Sequence, residues 1–321
     1  MALYFGHETA LAYWLTRTSG QDEPEYVQDR SLALAEVGAA TLKGSDLPPG
    51  LLGPQPLHLL TAQTGSRRRS AGMVVHSWSG EVPPAAFCCL RGGDRIASPE
   101  FAFLLMAPRH TLRELVEWGC YLCGGFAVAE DGHGYAGSRR PLTTPDDIRT
   151  LVASVPGAYG ARRALEALEY VVPNLASPME VFLAMECVLP ASLGGFALPP
   201  VVANEEIVVP PRLRLIAGTR RYYGDLLIPS VGGDIEYDSY EFHTGPSRLD
   251  HDATRRNVLE ALGIKTVTVT YGQVETFQKL CDLMWMIEER FGIDHREWTG
   301  AEEQAQMDLY DFLLNPLRRR F

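Results

Sequence analysis

Between Gly224 and Thr270 the chain places carboxylates on a segment whose pattern would bury them. Asp225 comes first, followed by Glu236-Tyr237-Asp238-Ser239, then His243, then Asp252 and Arg255, with Leu259 and Gly263 leading to Val267-Thr268-Val269-Thr270. Residues 223–228 and 235–242 are rich in aromatic and branched side chains, and Val231-Gly232-Gly233 between them suits a tight turn, so the pair reads as an antiparallel hairpin. Alternation along a strand puts Glu236 and Asp238 on one side. With an even number of loop residues Asp225 faces Asp238 or its diagonal neighbour there, and a slip of one residue sends it to the other face. Acids held on a half-buried strand are costly unless positive charge sits among them, and a divalent cation is the simplest partner.

The segment after the hairpin reads as a helix. Arg255, Val258, Leu259 and Leu262 share one face, which leans the guanidinium toward the sheet, either as a site group or as a structural ion pair. Asp252 and Arg256 have the spacing of a surface pair, and Asp250 and His251 read as loop and cap. Upstream, Ser177-Pro178-Met179-Glu180 has the form of a helix start, with Ser177 as cap, Pro178 at the first position and Glu180 completing a capping box. His243 reads either as a strand-end histidine bonded to backbone or as a group that titrates near neutrality.

Asp225, Ile235-Glu236-Tyr237-Asp238-Ser239, His243 and the spacing from Asp252 through Arg255 and Leu259 to Gly263 together resemble the PD-(D/E)XK nuclease superfamily, in the branch of very-short-patch-repair-like endonuclease domains. Ser177 to Glu180, Leu189-Pro190, Gly194-Gly195 and Pro199-Pro200 to Asn204 are similar to the segment that precedes the first acidic strand in that branch, so the resemblance spans residues 176–292. It implies an α/β fold, a restriction-endonuclease-like mixed β-sheet flanked by helices, and a phosphodiesterase that uses Mg²⁺ or Mn²⁺ on DNA or RNA. Asp225 and Glu236 would be the metal ligands, His243 would take a proton or stabilise the leaving group, Arg255 would meet the scissile phosphate, and Glu180 would approach the metal. Asp238 stands where the superfamily places a lysine. The chain has three lysines, Lys43, Lys265 and Lys279. The alternative is therefore a catalytically inactive nuclease fold that binds nucleic acid or a partner protein, as in a toxin–antitoxin or phage-defence pair.

The rest of the chain sets bounds. Its 321 residues, 46% of them hydrophobic, are enough for two cores, expected over residues 1–155 and 156–321. The first part reads as a smaller mixed α/β domain, with a strand over 73–78 and helices over 99–107, 112–123, 146–154 and 160–170. Residues 98–126 resemble, over that stretch only, the middle region of antitoxin-like proteins of the abortive-infection type. No catalytic constellation stands out in this half, and it is assigned to recognition of a nucleic acid or partner protein. Residues 47–55 and 126–144, rich in Pro and Gly, read as loops, and helices are expected over 274–291 and 301–321.

A net charge of −11 argues against a chain that coats nucleic acid indiscriminately. Local basic runs at Arg67-Arg68-Arg69, Arg139-Arg140, Arg162-Arg163, Arg220-Arg221 and Arg318-Arg319-Arg320 offer surfaces for phosphate, Arg220-Arg221 best placed at the entry to the Asp225 strand. Six cysteines without a leader do not make a disulfide framework, and the CxxC of Cys120 and Cys123 with Cys88-Cys89 reads as buried free thiols rather than a zinc site. There is no Walker loop, dinucleotide fingerprint or GxSxG elbow. With no leader-like start and no apolar run of membrane length, a cytoplasmic protein without a membrane partner is expected.

Overall fold

The computed structural model describes residues 2–20, 25–29, 31–32, 56–62, 69–70, 72–129, 132, 134–238 and 246–314. It is α/β, with three sheets and ten helices among the described residues. The chain divides into two compact units between Pro173 and Asn174.

The first unit holds β1 (Tyr4–Phe5), α1 (His7–Leu15), β2 (Tyr26–Val27), β3 (Leu57–Thr61), β4 (Arg69–Ser70), β5 (Met73–Ser77), β6 (Phe87–Cys89), β7 (Arg95–Ala97), α2 (Pro99–Met106), α3 (Leu112–Leu122), β8 (Phe126–Val128), β9 (Tyr135–Ser138), α4 (Pro145–Ser154) and α5 (Ala161–Leu168). Seven strands form one mixed sheet in the order β2-β6-β7-β1-β3-β5-β4, with β1–β7 and β3–β5 parallel. The short helix α2 is buried along its whole length, which is why its sequence is apolar throughout apart from Glu100 in the first turn. Ser98 caps it by accepting the Phe101 N–H at 3.3 Å, and Thr111 with Glu114 closes a capping box on α3.

The unit boundary falls later than residue 155 because α5 and the segment after it belong to this core. Ala161, Ala164, Ala167 and Leu168 on α5 are buried, and beyond it the Val172 N–H donates to Cys120 Sγ of α3 at 3.4 Å. Residues 126–144 are not all loop, since β8 and β9 pair as an antiparallel ribbon with a bulge at Ala127/Val128. Strands of three and four residues, the second interrupted by glycine, are too short to show alternation in sequence. Arg139 is also not a surface phosphate binder. Its guanidinium donates to the carbonyls of Trp14, Arg17 and Tyr121, and burial lowers its pKa to about 9.

The second unit holds α6 (Pro178–Val188), β10 (Val202–Val208), α7 (Arg214–Ala217), β11 (Arg221–Ile228), β12 (Gly233–Tyr237), α8 (Pro246–Ala261), β13 (Lys265–Val269), α9 (Phe277–Phe291) and α10 (Gly300–Leu314). Its sheet runs β10-β11-β12-β13, antiparallel except for the parallel pair β12–β13, which α8 connects. Val258 and Leu259 of α8 pack with Ile207, Val209, Ala217 and Tyr222, an apolar cluster that fixes the helix against the sheet. The helix starts at Pro246, so Asp250 and His251 lie within it rather than in a preceding loop and cap. No helix among the described residues is long and apolar enough to cross a membrane.

Candidate functional site: a cluster of acids on the second sheet

The hairpin register is set by the pairs Ile228↔Gly233, Leu227↔Asp234 and Leu226↔Ile235. The next step would set Asp225 against Glu236, and there the backbone ladder gives way to a side chain: the Tyr237 N–H donates to Asp225 Oδ2 at 2.9 Å. Asp225 is thus locked across the hairpin from Glu236, the diagonal neighbour of Asp238 on the face that strand alternation and an even loop assign to it. Its pKa is raised to about 7, first by burial and then by the charges of Glu180 and Glu236, against the opposing pull of the Tyr237 N–H and Arg255.

Asp234 is the acid that sequence reasoning missed. It lies two residues before Glu236 and so on the same face of β12, with Thr266 and Thr268 beside the pair on β13. It is completely buried, no N–H or hydroxyl among the described residues donates to it, and its hydrogen-bonding neighbour is the Glu236 carboxyl. Burial, then the neighbouring Glu236 and Asp225, push its pKa strongly upward. Room for it is made by Gly224, where a Cβ would stand 2.7 Å from Asp234 Oδ1. The i, i+2 spacing with Glu236 is visible in the sequence, but a strand read from its first branched residue starts at Ile235 and leaves Asp234 between turn and strand.

Glu236 is half-buried and faces Arg255 of α8, whose Nη2 donates both to it and to the Tyr223 carbonyl at 2.6 Å. The guanidinium also lies 5.0 Å from the centre of the Tyr222 ring, a cation–π contact. Arg255 therefore neutralises one acid of the cluster and leaves Asp225 and Asp234 in a negative field.

Glu180 holds two positions at once. Ser177 caps α6 through the Glu180 N–H at 3.2 Å, while the Glu180 carboxylate accepts from Ser177 Oγ at 3.0 Å, the Ala176 N–H at 2.8 Å and Asn204 Nδ2 at 3.1 Å. It is buried, and its pKa is raised by that burial although the three donors pull it down. It is also the strongest charged influence on Asp225, so the helix cap and the acid cluster share this residue.

Asp238 is half-buried, and its N–H donates to the Val269 carbonyl at 2.8 Å. With Glu236, Asp252, Arg255, Arg256 and Thr268 it lines a cavity of about 200 Å³. His243 lies outside the described residues, as do Lys43, Arg67, Arg68 and the run Arg318-Arg319-Arg320. Lys265 alternates onto the face of β13 opposite Thr266, and Lys279 Nζ donates to the Gly272 carbonyl at 3.0 Å, so neither stands in for the lysine replaced by Asp238. Arg221 of the basic run at the strand entry is paired with Glu206 at 2.7 Å, while Arg220 is exposed.

As a cation cradle the cluster fits in charge and chemistry: hard oxygen donors, and two acids whose pKa values are lifted first by burial and then by neighbouring carboxylates. It does not bring three ligand atoms within 4.8 Å of one another. Among the described residues only Glu8, His58 and His76 of the first unit do so, in the half where sequence reading found no chemistry. The six cysteines are free, four of them buried. Burial pushes the Cys88 and Cys120 thiols up to about 12, as expected for packing residues.

The chain matches no protein-family model, no curated protein and no solved structure.

Proposed function

We propose that the second unit is a metal-dependent phosphodiesterase, an endonuclease acting on DNA or RNA, with its centre at Asp225, Asp234 and Glu236. The observation that carries this reading is three carboxylates gathered on one hairpin, Asp225 and Asp234 with pKa values lifted by burial and by neighbouring acids, and Glu236 paired with Arg255. Such an arrangement is unfavourable without a positive ligand and favourable with one.

Asp225 and Asp234 would hold Mg²⁺ or Mn²⁺, with Glu236 completing the oxygen set once Arg255 turns from it toward substrate. A hard dication held there supplies charge neutralisation at phosphorus and acidifies a water molecule. The chain's own residues do the rest. Tyr237, through its backbone N–H, fixes one Asp225 oxygen and leaves the other to point at the ligand. Glu180 keeps the local field negative from behind. Arg255, already forked between a carboxylate and a carbonyl, has the geometry to take up a phosphate oxygen. The connection from β10 to β11 presents exposed Leu215, Ile216, Arg212 and Arg220, an apolar tip flanked by cations that suits a nucleic acid more than an acidic protein. His243 is kept as the residue for proton transfer on the strength of the sequence resemblance alone.

Arg255 on Glu236 is also what a non-catalytic binding module would show, since an arginine can replace the missing cation permanently. Plasmid nicking in Mg²⁺ or Mn²⁺ separates the two. The wild type is expected to nick and Asp225→Asn and Glu236→Gln to lose about 10²-fold or more in rate while remaining folded. Nicking that persists equally in both variants and in EDTA rejects the proposal, and binding of nucleic acid without nicking in any metal selects the module.

A further inference from the structure

We propose that Glu8, His58 and His76 form a second, unrelated site in the first unit, one that takes a divalent transition-metal ion of the zinc class through a carboxylate and two imidazoles. His58 and His76 lie on the adjacent parallel strands β3 and β5. Leu60 pairs with His76, and His58 alternates onto the same face as Leu60, so the two imidazoles meet diagonally on one side of the sheet. Glu8 comes from the first turn of α1. That turn is docked on β3 by the Gly6 N–H to the His58 carbonyl at 3.0 Å and by the His58 N–H to Thr9 Oγ1 at 2.8 Å. The approach is so close that a Cβ on Gly6 would stand 2.8 Å from Leu60 Cδ1.

Three contacts run in series through the cluster. Arg109 Nη1 lies 3.1 Å from His76 Nδ1, His76 Nε2 lies 3.0 Å from His58 Nδ1, and His58 Nδ1 touches Glu8 Oε2. Protons cannot satisfy all three. Arginine only donates, so His76 Nδ1 accepts and the His76 proton sits on Nε2, where it donates to His58 Nδ1. That nitrogen then has no proton for Glu8. If His58 Nδ1 carries a proton for Glu8 instead, His76 Nε2 must accept, its proton moves to Nδ1, and it meets the N–H of Arg109. A proton on Glu8 leaves two donors aimed at one lone pair. A cation at the centre resolves the frustration, because Glu8 Oε2, His58 Nδ1 and His76 Nε2 each offer it an electron pair. These ligand atoms lie within 4.8 Å of one another, and ligands of a tetrahedral zinc stand about 3.3 Å apart.

Two further features point to a built site. Glu8 Oε1 is within 3.7 Å of His110 Nε2, and His110 Nδ1 is within 3.5 Å of Glu114, the outer layer that orients a ligating carboxylate. His7, only 7% exposed, stacks face to face on His76 with ring centres 3.7 Å apart. Its Nδ1 has no hydrogen-bond partner among the described residues, and its φ of +50° is strained for a residue with a side chain. Two imidazoles and one carboxylate leave coordination positions open, as in sites where zinc or iron meets a substrate rather than serving as a staple.

Arg109 is exposed and donates to the nitrogen of His76 that must carry the proton once the ion is bound. It also repels the ion, so binding requires it to swing away. The test is equilibrium binding of Co²⁺, followed by its visible d–d absorption, and of Zn²⁺ by competition, on the full chain. In a chain carrying Asp225→Asn and Asp234→Asn, which removes the acidic site, one ion per chain is expected. Glu8→Gln, His58→Gln and His76→Gln should each weaken binding at least about 10²-fold, while Arg109→Met, at an exposed position that does not threaten folding, should tighten it. A wild type that binds Co²⁺ no better than the three ligand variants, or an Arg109→Met that binds more weakly than wild type, overturns the proposal.

Discussion

Asp225 and Asp234 keep protons that solvent-exposed aspartates lose near pH 4, because each is desolvated and each faces other carboxylates. Between the ordinary aspartate range and the raised folded values, the folded chain binds more protons than the unfolded one. Stability of the metal-free protein should therefore fall as pH rises from about 4 to about 7, the value to which Asp225 is raised. Asp234→Asn removes the buried charge while keeping its shape. It should raise stability at pH 8 by at least about 1 kcal/mol, or roughly 2–4 °C in Tm, and flatten the pH profile; thermal unfolding across that range checks both. A variant less stable than wild type at pH 8 would mean that Asp234 has partners that offset its burial. At this scale the sequence showed Asp225, Glu236 and Arg255 by residue type and face. It did not show Asp234, because a strand's start next to glycine is set by pairing rather than by local pattern. It could not show Glu8, His58 and His76 either, since only the β3–β5 register and the docking of α1 bring together residues so far apart in the chain.

The β11–β12 hairpin and α8 are the elements that make the acidic site, and both were legible. The hairpin announced itself by Val231-Gly232-Gly233 between branched runs, and α8 by the stripe of Arg255, Val258, Leu259 and Leu262. Helix starts carried by Ser98, Thr111 and Ser177 were readable because capping is local chemistry. The ribbon of β8 and β9 and the true start of α8 were not, since short or glycine-interrupted elements owe their structure to what they pack on. The four-residue α7 leaves Leu215 97% and Ile216 64% exposed, which no packing explains. If this tip meets nucleic acid, Leu215→Asp with Ile216→Asp should weaken binding of a DNA or RNA duplex about tenfold or more with a Tm change under about 2 °C. Fluorescence anisotropy and thermal unfolding on the same samples test it, and undiminished affinity would remove the tip from the interface.

At the scale of the molecule, each unit has its own sheet and its own core, and each carries one candidate ion site of different chemistry, oxygen-rich in the second and mixed nitrogen and oxygen in the first. Composition had indicated two cores but not where they part. The packing of α5 and the Val172 to Cys120 contact move the division to Pro173 and Asn174. The most direct trial of the acidic centre is the binding of Mn²⁺, read by the loss of its free-ion electron paramagnetic resonance signal. Wild type, Asp225→Asn with Asp234→Asn, and the His58→Gln control are compared at pH 8, where both aspartates should give up their protons to a dication. Mn²⁺ binding in wild type and in the control, lost in the double aspartate variant together with nicking, is the predicted result. Mn²⁺ binding that is the same in all three proteins would contradict the account.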